Sequence, residues 1–218
     1  MNLLSGAMGV IFTLEGRLDI AFPLMLAGAV FDFCDGLAAR LLGAYSPMGK
    51  ELDSLSDMVS FGLLPSLMLY ETLRLSGCHC ALAYVTLILA VLSGLRLAKF
   101  NIDERQTLSF IGLPTPANAI FWIGLTYLNE IPAVHTAFNG TIYFLLMLVC
   151  CFLLICELPM FSLKVKPGHN SFGENKARYI LIASTVVILL VSALLGFQYF
   201  AASPALIILL YLLLSILF

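Results

Sequence analysis

Residues 32–57 read DFCDGLAARLLGAYSPMGKELDSLSD, and they place four carboxylates inside an otherwise strongly apolar chain. Asp32 and Asp35 are three residues apart; Asp53 and Asp57 are four apart. On a helix both spacings stack the two side chains on one face. Two consecutive helices would therefore each present a carboxylate pair, and a short polar turn around Ser46-Pro47 would bring the pairs together. Carboxylates at membrane depth do not stay ionised without cations, because burying a bare charge is strongly unfavourable. One or two divalent ions are the simplest answer, and oxygen-only ligands favour Mg²⁺ or Mn²⁺ over zinc. The same carboxylates would also suit a metal-coupled transporter, whose helices line a water-filled cavity.

Working outward, the 218 residues are 61% hydrophobic and only 11% charged, which excludes an ordinary soluble domain. Apolar runs fall near residues 1–14, 18–42, 48–73, 80–100, 117–133, 140–161, 177–199 and 203–218. The expected fold is all-α, a polytopic transmembrane helix bundle of about eight spans, forming one domain over residues 1–218. Arg40, Lys50, Arg96, Lys99, Arg105, Lys164, Lys166, Lys176 and Arg178 fall on one side of such a bundle, and only Arg17 and Arg74 on the other. By the positive-inside rule the first side is cytoplasmic, and the Asp32–Asp57 stretch opens toward it. The net charge of −2 says little about partners, and no nucleic-acid partner is expected.

Cys34, Cys150, Cys151 and Cys156 lie in apolar runs, where a thiol behaves as a small hydrophobe rather than as part of a disulfide framework. Cys78-His79-Cys80 falls in a short inter-helix loop, and adjacent residues rarely converge on one ion, so no zinc site is expected there. Met1-Asn2-Leu3-Leu4 carries no positive leader, so no cleavable signal is expected.

The pattern Asp32-x-x-Asp35-Gly36-x-x-Ala39-Arg40, eight residues, Gly49-x-x-x-Asp53-x-x-x-Asp57 resembles the signature of the CDP-alcohol phosphatidyltransferases at every fixed position. A transporter would explain the carboxylates but not Gly36, Ala39, Arg40 and Gly49. The resemblance implies displacement of CMP from a CDP-linked lipid by an alcohol. It implies Asp32, Asp35 and Asp53 as metal ligands, with Asp57 beside them as base and as a further ligand of a second ion. It implies Gly36, Ala39, Arg40 and Gly49 around the nucleotide, together with Asn2 in the opening Asn2-Leu3-Leu4-x-Gly6. Helix packing is the alternative for the small residues, and pairing with Asp35 for Arg40. Members of the family commonly have a further segment before that opening.

Two further stretches, Leu52–Gly62 with Pro65 after it and Leu95–Asn101 followed by Phe110–Pro116, resemble the phosphatidylserine synthase branch. This implies CDP-diacylglycerol and L-serine as substrates in a lipid bilayer, and a homodimer is common in the family. Glycerol 3-phosphate or inositol phosphate is the alternative acceptor, although a phosphate dianion would call for more cations than Arg96 and Lys99. Three readings stand open for Arg96 and Lys99: the serine carboxylate, the lipid phosphate, or snorkelling to the interface. Asn118 is expected either to bind serine or to cap the helix after Pro116. Lys164, Lys166, His169, Lys176 and Arg178 read as a solvated patch against anionic headgroups. Gly6, Gly9, Gly28 and Gly94 read as helix-packing or dimer-seam positions.

Overall fold

Apolar residues cover every side of most helices, so small and polar positions decide which faces meet. The computed structural model describes residues 1–44, 46–75, 81–103, 110–129, 140–160 and 172–217. Helix α1 (Asn2–Leu14) and helix α2 (Leu18–Leu42) form a hairpin whose turn is closed by the Arg17 amide donating to the Phe12 carbonyl at 2.8 Å. Ser5 Oγ donates to the Leu24 carbonyl at 2.6 Å and ties the two helices together. Gly43, at φ 62° in the left-handed region, stops α2, and the Ala44 amide returns to the Ala39 carbonyl.

Helix α3 (Pro47–Asp57) starts as its sequence requires. Ser46 Oγ accepts from the Gly49 amide at 3.0 Å, and Pro47 occupies a position where a missing N–H costs nothing. The chain then runs without a break through a π-helical segment (Met58–Leu63) into α4 (Leu64–Leu75). The expected third run of 48–73 is thus one rod, but not a uniform α-helix. The wider π turn sits where neighbouring helices have no side chain. A Cβ on Gly6 would collide with Ser60 Oγ and Cα, one on Gly94 would lie 3.0 Å from Met58 Sδ, and one on Gly62 would lie 3.1 Å from Ser93 Cβ. Gly9 and Gly28 likewise face Leu64 and Ser60. These glycines serve packing within the chain.

Helix α5 (Ala81–Val85) leads through buried Thr86 into α6 (Leu87–Ile102). A two-residue strand β1 (Phe110–Ile111) pairs antiparallel with β2 (Pro159–Met160), the one described departure from an all-helical chain. Helices α7 (Thr115–Asn129), α8 (Gly140–Ile155), α9 (Phe172–Leu195) and α10 (Phe197–Leu217) complete the bundle. Gly124 of α7 lies so close to Ala202 and Ala205 of α10 that any Cβ would meet backbone.

Among the described residues four stretches are long and apolar enough to cross a membrane: Leu18–Leu42, Ala83–Ile102, Lys176–Leu195 and Gln198–Leu217. Asn2–Leu14 and Thr141–Ile155 are apolar but shorter. Outward residues such as Phe33, Leu41 and Leu194 are largely exposed and apolar, as a bilayer-facing surface demands. The chain is an integral membrane helix bundle.

The basic stretch that runs into the first turns of α9 is only partly as expected. Lys176 is exposed, but Arg178 is buried beside the cluster formed by Ala177, Leu181 and Tyr211, so it is not a solvated headgroup contact. Lys164, Lys166 and His169 lie outside the described residues, as do Cys78, His79, Cys80 and Arg105. Cys34, Cys150, Cys151 and Cys156 are free thiols.

Replacing Gly6 by Val should cost about 1–3 kcal/mol, because the collision falls on the Ser60 backbone. Thermal unfolding in detergent checks this as a lowered Tm.

Candidate metal and nucleotide site

Helix spacing and caps converge on one corner of the bundle. Asp32 and Asp35 lie in the last three turns of α2, Asp53 lies in α3, and the Gly43 stop of α2 and the Ser46 cap of α3 set the break between the two helices. Ligand oxygens of Asp32, Asp35 and Asp53 all lie within 4.8 Å of one another. At that separation three ionised carboxylates repel by roughly 3 kcal/mol per pair at an effective dielectric of about 20, before solvent screening. Two to three hydrogen bonds of about 1 kcal/mol net each would not offset that sum. A hard divalent cation would, and three converging carboxylate oxygens are the donor set such an ion takes. The residues fit the group.

Asp57 stands one step back. It is not in that ligand group; it is buried, its Oδ1 accepts from Asn2 Nδ2 at 3.0 Å, and it interacts electrostatically with Asp32 and Asp53. Three carboxylates thus form a half-exposed mouth, and the fourth lies beneath it.

The residues expected around the nucleotide separate into two kinds. A Cβ on Gly36 would meet nothing within 4 Å, so this glycine is not a packing residue in the described chain. Gly49 is exposed in the first turn of α3, where an added Cβ would touch only Ser46 Oγ at 3.0 Å. Arg40 is exposed one turn beyond Gly36, with Ala39 half-buried beside it. Among the described residues no ion pair joins Arg40 to Asp35, so the guanidinium is not spent on that partner. Asn2 is buried, and its Nδ2 donates to Asp57 Oδ1.

Helix α6 reaches this corner through contacts that spacing alone did not reveal. Lys50 Nζ donates to the Asn101 carbonyl at 2.9 Å, and Asn101 Nδ2 donates to Ser54 Oγ at 2.8 Å. The Lys50 and Asn101 side chains were legible as polar residues near helix ends, but their pairing was not.

Arg96, five residues before Asn101, lies about 7–8 Å deeper along the α6 axis. It parts company with Lys99. Arg96 is 7% exposed, with Nη2 donating to the Gly112 carbonyl at 3.3 Å, whereas Lys99 is exposed. Snorkelling therefore suits Lys99 and is overturned for Arg96. Gly112 is left-handed at φ 73°, and a Cβ there would lie 2.7 Å from the Cys156 carbonyl, so glycine alone fits. Asn118 is fully buried within the first turn of α7, and its backbone N–H donates to the Pro114 carbonyl. It is not the cap, because the helix has already begun at Thr115. Arg96 Nε, Ser93 Oγ, Thr115 Oγ1 and both polar side-chain atoms of Asn118 are buried without a hydrogen-bond partner among the described residues. Sequence reasoning missed Ser93 and Thr115, each three residues before Arg96 or Asn118 on its helix.

Residues 1–156 match the CDP-alcohol phosphatidyltransferase family. The chain belongs to this family. It is similar to the CDP-diacylglycerol–serine O-phosphatidyltransferase of Bacillus subtilis strain 168, 40% identical over 119 residues, covering 53% of this chain and 64% of that protein. It is also similar to the protein of the same name from Methanocaldococcus jannaschii, 36% identical, covering 59% of this chain and 57% of the other. The archaetidylserine synthase of Methanothermobacter thermautotrophicus is 35% identical, with 55% and 52% covered. The chain thus spans between half and two thirds of the length of these curated relatives. The α2–α3 corner and the Arg96–Asn118 region both lie within the family match.

Gly36→Ala should hold or slightly raise Tm, since its Cβ enters open space and alanine is the better helix former. Asp35→Asn should weaken Mn²⁺ binding at least tenfold, read by the free-ion electron paramagnetic resonance signal.

Proposed function

We propose that this chain transfers the phosphatidyl group of CDP-diacylglycerol to the hydroxyl of L-serine, yielding phosphatidylserine and CMP. The observation that carries the reading is the convergence of Asp32, Asp35 and Asp53 beside Asp57 on the family signature. The names of the relatives support serine as acceptor. Asp32, Asp35 and Asp53 would hold Mg²⁺ or Mn²⁺, with Asp57 beside them as a ligand of a second ion. Bound there, a divalent ion would supply charge neutralisation for the diphosphate and for the leaving CMP.

The chain's own residues supply the rest. Gly36 and Gly49 leave room for the nucleotide at the open face, with Ala39 beside it, and the Arg40 guanidinium faces its phosphates. The serine oxygen forms the new bond to the lipid phosphorus as the bond from that phosphorus to the CMP oxygen breaks. Asp57 takes the hydroxyl proton and CMP leaves with the electron pair. A carboxylate is a weak base at its ordinary pKa, so proton transfer comes late in the step.

Arg96 takes the serine carboxylate. A guanidinium that is nine-tenths buried, with one long contact to a carbonyl and an orphaned Nε, calls for an anion. The orphaned amide of Asn118 adds a donor and an acceptor for a small zwitterion. Exposure of Lys99 near the end of α6 suits a snorkelling side chain and supports contact with lipid phosphate at the membrane surface.

The wider setting is an eight-span, single-domain bundle with its site toward the cytoplasm. The side-to-side bias of basic residues supports that orientation. A homodimer in the bilayer accords with the family.

CMP release from purified protein with CDP-diacylglycerol and Mn²⁺ or Mg²⁺ tests the reading, with L-serine, glycerol 3-phosphate and inositol phosphate in parallel. Release with serine alone is expected; release only with a phosphorylated alcohol moves the acceptor. Solute flux in liposomes without CMP release would sink the enzyme and favour a transporter.

Asp57→Asn should abolish turnover while CDP-diacylglycerol still binds. Arg96→Ala should raise the KM for serine at least tenfold and leave that for CDP-diacylglycerol within about twofold, as loss of a charge-assisted contact requires.

A further inference from the structure

Asp57 has an anchor that neither the carboxylate spacing nor the metal site accounts for. Its Oδ1 accepts from Asn2 Nδ2 at 3.0 Å, across 55 residues of sequence, and Asn2 is 2% exposed. The backbone of the same residue is gripped as well: Ser60 Oγ donates to the Asn2 carbonyl at 3.1 Å. One residue of α1 thus holds the α3–π rod at two points, on either side of the junction where the helix widens. The close approach depends on residues without side chains. Gly6 lies against Ser60, and a Cβ on Gly28 would come within 3.2 Å of Asn2 Oδ1.

A carboxylate on a helix otherwise has several rotamers and two equivalent oxygens. A buried amide donor on one oxygen selects a rotamer and commits the other oxygen to what lies outside. We infer that Asn2 is the positioning residue of Asp57, fixing which oxygen of that carboxylate faces the reacting hydroxyl. This rests on Asp57 being the base in the proposed transfer. It also replaces the nucleotide contact expected of Asn2 from the sequence. That amide is engaged with Asp57, and its remaining oxygen lies against Gly28 rather than at the open face.

The test uses the whole chain, with Asn2→Ala, which removes the donor, and Asn2→Asp, which sets a second carboxylate against Asp57. Both should lower kcat for serine-dependent CMP release about 10–100-fold, with Asn2→Asp the worse and the KM for CDP-diacylglycerol within about twofold of wild type. A raised KM with kcat preserved would return Asn2 to the nucleotide. Activity falling only in step with the folded fraction, measured by Tm, would make it a packing residue.

A second readout needs no substrate. Infrared difference spectra between wild type and Asn2→Ala, with ¹³C-labelled aspartate, should show a shifted carboxylate stretch that vanishes when the comparison is repeated in an Asp57→Asn background. An unshifted band overturns the inference. If wild type releases no CMP with serine, the proposed function fails by itself, and the infrared comparison still decides whether Asn2 sets the Asp57 carboxylate.

Discussion

Charge in a low-dielectric setting is the constraint on which this bundle depends. An apolar chain of this composition folds into helices because every backbone polar group must be satisfied internally. The difficulty is to bring carboxylates together in such a fold and keep them there. The solution is local and rigid. The Gly43 stop, the Ser46 cap and Pro47 fix the turn between α2 and α3, and Lys50, Ser54 and Asn101 brace α3 against α6. Repulsion among Asp32, Asp35 and Asp53 is held in place by geometry that would otherwise relax, so the site is preorganised for a cation.

Exposure is graded across this corner, and the grading has chemical meaning. Asp35 and Asp53 are open, Asp32 is half-buried and Asp57 is buried. In the proposed transfer, the groups that meet the ion and the nucleotide sit at the mouth, and the group proposed to take the proton lies where water is scarce. The same gradient divides Arg96 from Lys99. Glycines divide in the same way: Gly6, Gly9 and Gly28 admit neighbouring helices, whereas Gly36 admits nothing from the chain itself and faces open space.

The helices α2 and α3, the break at Ser46-Pro47 and the convergence of Asp32, Asp35 and Asp53 were legible in residues 32–57, because helix period and capping chemistry are local. What was not legible depends on neighbours. A spacing of three places Arg96 and Lys99 on one side of α6 but does not say that the Gly112 turn covers the first and leaves the second bare. Asn118 follows a proline-rich break and so resembles a cap, yet Thr115 begins α7 first. The Asn2–Asp57 bond spans 55 residues, and no pattern within either helix announces it. The π segment is invisible for another reason: MVSFGL is as compatible with an α-helix, and only the gaps left by Gly6 and Gly94 make room for the wider turn.

That wider turn uncouples two registers. In an unbroken α-helix each residue advances the rotation by roughly 100°, so the face carrying Asp53 and Asp57 would dictate the face that α4 presents. A π segment takes up additional residue per turn, which lets the carboxylates point into the site while Leu64, Met68 and Leu69 still point into the core. Chain length through Met58–Leu63 is therefore constrained independently of side-chain identity. Loss of one residue there would restore a regular helix and swing either the acidic face or the packing face out of place, even with every acidic residue retained.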